Sequence, residues 1–412
     1  MAILFDMNFL FKKQINYFSE KNSILVFLFF IFLLAIWGLY FIPIYKSGFI
    51  YWNDLDLLSK FCEQEAFTTI INQKIELIFY ILGILFCKFN ITQPTLYHYI
   101  NTTLHIGSSI LIFYFLRILF STFINDRLVK IISVACALIF CFHPINADAV
   151  FWIYSVKELF LTFFCLLSLV CYLNFLKHPH SKISYLLSFL FLIFSCISSR
   201  YCYQIFIFYL GLGIFLPTKK SFKTAILTIL PFLLTITFIF YIYFINDFYQ
   251  FTFFNVNSDK GLFLYLITLF TTINDLIYPI NRPVYIPVTE YLNQPQLLNI
   301  IFSVPGLLLL VFFLFFSYIK KIKLFQLSST LMIILLIINH SFIETEDFVS
   351  LNYLNYFTSF GFVLFTGTIL GVINFKKKIT TNISIGLVSV LIFILSITSF
   401  HKMRSWKNEI TF

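Results

Sequence analysis

Apolar runs of about 18 residues or more recur along the chain, separated by short polar breaks, and each is long enough to cross a bilayer core as a helix. The pattern predicts spans over 23–44, 97–120, 130–142, 157–176, 182–198, 202–217, 224–245, 297–318, 324–340, 352–374 and 380–400, about 11 in all. The expected fold is an all-α polytopic membrane protein: a single transmembrane domain over 1–412 with no separate soluble domain. Lysine-rich breaks at 12–13, 127–130, 177–182, 219–223, 320–323 and 376–378 fall on alternate sides of these spans. The positive-inside rule places them all in the cytoplasm. The apolar stretch 261–278 would reverse that alternation if it crossed, so it is expected to lie interfacial or re-entrant on the outer face. The stretch 75–87 is too short to cross. The outer face then receives 45–96, 143–156, 199–201, 246–296, 341–351 and 401–412, where acids, His, Trp, Asn and Pro accumulate.

Composition agrees with this class. Hydrophobic residues make up 60% of the chain and charged residues only 11%, with a mean hydropathy of +0.92. A net charge of +10 would suggest nucleic acid for a soluble protein. Here the basic residues lie in short loops, so they set orientation and no nucleic-acid partner is expected. The 59 Phe carry no chemical signal, because Phe packs against lipid as well as Leu does. Cysteines at 62, 87, 136, 141, 165, 171, 196 and 202 lack paired CxxC spacing and read as small hydrophobes rather than ligands or disulfides. The first apolar run is too long for a cleavable signal and lacks a small-residue cleavage site.

Three outer-face groups are candidates for chemistry. The first, SGFIYWNDLDLL (47–58), sets Asp54 and Asp56 just beyond the first span. It reads either as a solvated acidic loop or as a carboxylate against an apolar wall, where desolvation makes a usable general base. The second, YHYINTTLHIGSS (97–109), puts His98, Asn101 and His105 on one helix face. Such a stripe usually joins helices by hydrogen bonds, and a metal site would need further ligands. The third, FHPINADAVFWIYSVKEL (142–159), places His143, Asp148, Trp152, Lys157 and Glu158 between two apolar runs. If the fourth helix begins near Asn146, then Asp148, Trp152 and Ser155 share a face and Trp152 joins the interfacial aromatic belt. Carboxylates at the membrane boundary mark function unless they are paired, and Lys157 is the nearby partner.

These residues carry a family resemblance. YHYINTTLH (97–105) and FHPINADAVFWIYSVKELFL (142–161) resemble the HxxNxxxH and HPxxxExVxWIxxRxDLL segments of the O-mannosyltransferase-like membrane proteins, GT-C glycosyltransferases that often carry tetratricopeptide repeats. FIYWND (49–54) is similar to the family's FVxWDD, SSR (198–200) stands where an SK pair follows the fifth span, and LIYPINRPVY (276–285) resembles LLFPLNLSVY. NYLNYFTSFGF (352–362) resembles ERYLYLPSLGF, and RSWKNEITF (404–412) the terminal WxNxxxLW. The resemblance implies transfer of a sugar from a polyprenyl-phosphate carrier to an acceptor hydroxyl on protein, lipid or glycan, at the periplasmic face of a bacterial inner membrane. It makes Asp54 the general base, sets Asp148 and Glu158 at the family's other two acids, and gives His98, Asn101, His105 and His143 a pocket-shaping role. Asn53, Val156 and the Asn352–Tyr353 pair depart from the pattern, and the family's RP pair is absent. Lys74, Arg200 or Arg282 would then meet the departing phosphate.

The scheme needs no nucleotide, and no Gly-rich phosphate loop occurs. A divalent cation would find oxygen ligands in Asp54, Asp56, Asp148 and Glu158. Two other classes compete: a transporter or flippase of a lipid-linked substrate, which calls for internal repeats and broken helices near mid-membrane, and a non-catalytic GT-C relative acting as an assembly subunit.

Overall fold

The computed structural model describes residues 77–89, 94–124, 126–215, 222–246, 269–277, 296–341, 355–373 and 378–405. Among them every regular element is helical. A chain this apolar must satisfy its own backbone polar groups within each segment, which a helix does. In order these are α1 (Leu77–Lys88), α2 (Pro94–Phe120), α3 (Asp126–Phe142), α4 (Pro144–Phe151), α5 (Val156–Lys177), α6 (Lys182–Cys196), α7 (Tyr203–Phe215), α8 (Phe222–Asn246), α9 (269–277), α10 (Gln296–Ile319), α11 (Lys323–Ser341), α12 (Asn355–Ile373) and α13 (Lys378–Ser405). Short 3-10 turns, Ile153–Ser155 and Arg200–Cys202, precede α5 and α7.

Among the described residues four stretches are long and apolar enough to cross a membrane: Pro94–Phe120, Ile153–Lys177, Asn355–Val372 and Ser384–Met403. They become five if α3 and α4, bent by 55° at His143, count as one broken span. The other predicted spans among the described residues are occupied by apolar helices, several of them shorter, such as Lys182–Cys196 and Tyr203–Phe215. The predicted first span and the Asp54 loop lie outside the described residues.

Packing follows from where small residues sit. In α2 a side chain on Gly107 would come 2.7 Å from the Phe163 ring of α5, so glycine lets the two helices close up. On α12, Gly367 faces Cys136 of α3 in the same way. Between α5 and α6, Ser168 Oγ donates to the Ser188 carbonyl at 2.5 Å and Ser188 Oγ to the Ser168 carbonyl at 2.8 Å. The Tyr209 hydroxyl of α7 lies 2.6 Å from Ser168 Oγ, and Ser195 Oγ reaches the Leu161 carbonyl at 2.6 Å. This seam ties three helices where the hydrophobic effect gives no help, since lipid is as apolar as leucine. By contrast only 11% of the apolar window of α13 is buried. Leu387, Val390 and Phe393 face outward, as lipid contact requires.

Four sequence expectations are corrected. Cys87 is disulfide-bonded, so the eight cysteines are not all inert small hydrophobes. The other six described cysteines are free thiols. The fourth helix does not run unbroken from Asn146: α4 stops at Phe151 and Trp152 turns extended, with ψ 121. Trp152 is buried in the protein core and not displayed in an interfacial belt. Helix α13 continues to Ser405, past the expected end of the last span at 400. Within the expected interfacial stretch, α9 is buried through residues 271–276, and Ile273 and Leu276 pack in a core cluster with Leu310 of α10. The described part of the stretch is thus packed among the helices.

Candidate functional site

The polar stretch between α3 and α5 is built around α4, whose eight residues are all buried. An eight-residue helix leaves most of its terminal N–H and C=O groups without partners of its own, so its neighbours must supply them. Pro144 opens it, where a missing N–H costs nothing. His143 caps it: the Ile145 N–H donates to Nδ1 at 3.3 Å, and Nε2–H donates to the Leu276 carbonyl of α9 at 3.0 Å. A carbonyl only accepts, so Nε2 carries the proton and the ring is held in one tautomer. At the other end Asn101 of α2 donates through Nδ2 to the carbonyls of Val150 and Trp152, at 3.2 and 3.0 Å. Those carbonyls are met by a side chain from α2 where a continuing helix would have met them, and this is the physical reason that α4 can stop.

The flanks are fixed in the same manner. Asn146 Nδ2 donates to the Phe140 carbonyl at 2.7 Å, and its Oδ1 accepts from Ser359 of α12 at 2.8 Å. Ser155 Oγ donates to the Ala149 carbonyl, and to that of Trp152 at 2.6 Å. Asp148 forms an ion pair with Lys402 of α13, Nζ to Oδ2 at 2.6 Å, and only 3% of the aspartate side chain is exposed. Charges in so apolar a setting persist because each neutralises the other.

Glu158 lies in the first turn of α5, where the helix dipole favours a carboxylate. Its Oε1 accepts from Ser199 Oγ at 2.9 Å. The same Ser199 oxygen accepts the Tyr201 N–H at 3.3 Å, so the turn before α7 holds the acid in place. Beside it the Lys157 ammonium sits 3.9 Å from the centre of the Tyr154 ring, a cation–π contact.

The histidine stripe on α2 resolves into different roles. His105 donates from Nε2 to the Cys141 carbonyl at 3.0 Å, so Nδ1 accepts from the Tyr356 hydroxyl at 2.8 Å. It joins α2, α3 and α12, as polar stripes in bundles usually do. His98 is buried one turn before Asn101 and two before His105, nearer the start of α2.

The structure therefore brings together Asn101, His143, Asp148 and Trp152 at α4, with Lys157 and Glu158 at the start of α5. Arg200 opens the turn beside Ser199. Asp54, Asp56, Lys74 and Arg282 lie outside the described residues. Among the described residues no three of His, Cys, Asp and Glu come together as a metal cluster. Sequence reasoning missed Lys402, Asn146, Ser199 and Tyr356, and on α9 it missed Asp275, which is buried next to Leu276. Lys402 had a readable signal, because it is a cation at the lysine-poor end of an apolar run.

The polar groups also share one end of the bundle. They occupy the beginnings of α2, α5 and α12 and the ends of α3 and α13. Lys177, which donates to Ser121 Oγ at 2.6 Å, lies at the opposite end of α5, as Ser121 does of α2. Comparison with known protein families, with curated proteins and with solved structures finds no match to this chain.

Proposed function

We propose that this protein is a membrane glycosyltransferase that moves a sugar from a polyprenyl-phosphate carrier to an acceptor hydroxyl at the outer face. On this reading it has a GT-C-like bundle of about 11 spans in a bacterial inner membrane. The observation that carries the reading is the gathering of buried acids and cations, Asp148 with Lys402 and Glu158 with Lys157 nearby, at one membrane end of an otherwise apolar bundle. A lipid-linked donor keeps its tail in the bilayer and its phosphate at the surface, so a transferase for it needs charge at that depth. The disulfide at Cys87 supports placing the neighbouring helix in an oxidising compartment, the side to which the polar end is assigned.

In the mechanism proposed, Asp54 accepts the proton of the acceptor hydroxyl as its oxygen attacks the anomeric carbon. The carrier phosphate leaves with the electron pair of the broken bond, met by cations from Lys74, Arg200 or Arg282. Asp148 and Glu158 are fixed by Lys402 and Ser199, which suits them to orient substrate on a rigid platform. A transporter of a lipid-linked substrate is the second reading, favoured by the 55° break at His143. Incubating reconstituted protein with a polyprenyl-phosphate sugar and membrane extracts as acceptor separates the two. Glycosylated product supports the transferase. Movement of the lipid-linked sugar between leaflets without product supports the transporter.

A further inference from the structure

At the lysine-rich end, away from the polar site, the turn joining α10 to α11 borders a cavity of about 370 Å³. Its walls are apolar, with Phe123 and Ile124 from the turn after α2, Phe325 of α11 and Val372 of α12. Lys321 and Lys323 also line it, and among the described residues no acid does. Thr368, on the α12 side, already donates to the Phe365 carbonyl at 2.7 Å and lies 2.7 Å from Ser328 Oγ. The polar character open to a ligand therefore comes from the two lysines and from the N-terminus of the 19-residue helix α11, whose dipole favours an anion.

The backbone fixes the turn that carries Lys321. Its φ is 52, the one positive value outside glycine among the described residues. Ile322 N–H donates to the Ser317 carbonyl and Lys321 N–H to the Tyr318 carbonyl, both at 3.2 Å, the bond pattern that ends a helix at a left-handed residue. Glycine takes that position without steric cost, and a lysine does not. Beside the turn the end of α10 presents Phe315, Tyr318 and Ile319 to the outside, an apolar track on which an acyl chain can lie.

We propose that this cavity holds the phosphate headgroup of an anionic phospholipid of the leaflet on the lysine-rich side. The Lys321 and Lys323 ammonium groups meet the phosphate and the acyl chains run along α10. Its volume is in the range of small-ligand sites, and basic pockets between spans on this side of a membrane suit such headgroups.

The test is native mass spectrometry of the full chain reconstituted in equal phosphatidylglycerol and phosphatidylethanolamine. The wild type should retain phosphatidylglycerol selectively, and Lys321→Gln with Lys323→Gln should lower that retention on the order of tenfold. A control pair from the same end but off the cavity, Lys130→Gln with Lys182→Gln, should retain it as the wild type does. Lys321→Gly keeps the turn in its preferred conformation, so it should raise the unfolding temperature while weakening retention. Equal retention in the cavity double variant, or equal loss in the control pair, overturns the proposal. Displacement of the lipid by millimolar inorganic phosphate also overturns it, because the site would then take a free anion.

Discussion

Lys402 Nζ lies 2.6 Å from Asp148 Oδ2, an ion pair closing 254 residues of chain between the last described helix and the shortest one. Removing one partner takes away the opposite charge that balances the other in an apolar setting. Asp148→Asn or Lys402→Met alone should therefore destabilise the protein by about 3–5 kcal/mol, whereas the double variant should recover most of the loss. Thermal unfolding of the four proteins in one detergent measures the coupling. Additive losses would mean that the pair is not a unit.

The cap at α4 makes a second expectation. His143→Ala removes an acceptor from the Ile145 N–H and a donor from the Leu276 carbonyl, so it should cost about 1 kcal/mol for the cap and a similar amount for the buried bond. His143→Gln can keep one of the two bonds and should fall between. Limited proteolysis together with the unfolding temperature reads both effects. Wild-type behaviour of the alanine variant would show that α9 is held by other means.

Orientation is open to a direct check. His401 and His180 are both exposed, one near the end of α13 and one between α5 and α6. In a cysteine-free background a cysteine at 401 should react with an impermeant maleimide in intact cells, and a cysteine at 180 should not. Asn146 is too buried to serve as a reporter. Labelling at 180 would reverse the assigned orientation.

How far the sequence anticipated this molecule depends on the distance over which each cause acts. Helix α2 was expected over 97–120 and α12 over 352–374, and they run Pro94–Phe120 and Asn355–Ile373, because a span is written locally as a run of apolar residues. The stop at Trp152 was illegible. Its cause is Asn101, which lies 51 residues away and leaves no trace in local periodicity. Partners such as Lys402 for Asp148 and Tyr356 for His105 are likewise distant in sequence. The bonding of Cys87 depends on three-dimensional approach, which spacing alone does not give. Of the candidate site, the residue types and their common end of the bundle were legible, while their partners were not.

The chemistry itself is tested at Asp54. Asp54→Asn keeps size and hydrogen-bonding shape and removes the proton acceptor, so transfer should fall by ~10² to 10⁴ with insertion and yield unchanged. Asp56→Asn should cost less, and Lys74→Met should weaken donor binding. Sugar transfer from a radiolabelled polyprenyl-phosphate donor reads all three. Full activity of Asp54→Asn would remove that residue as the base.

Helix α4 also ties early and late parts of the chain together. It is short, and much of what holds it comes from outside it: from His143 and Ser155 beside it, from Asn101 made before it, and from Ser359 and Lys402 made long after. The Asp148–Lys402 pair can therefore form only once α13 has been made. Helices α5 to α7, by contrast, are joined by a serine seam between near neighbours in the chain. A fault in α13 is thus expected to surface as a fault at α4.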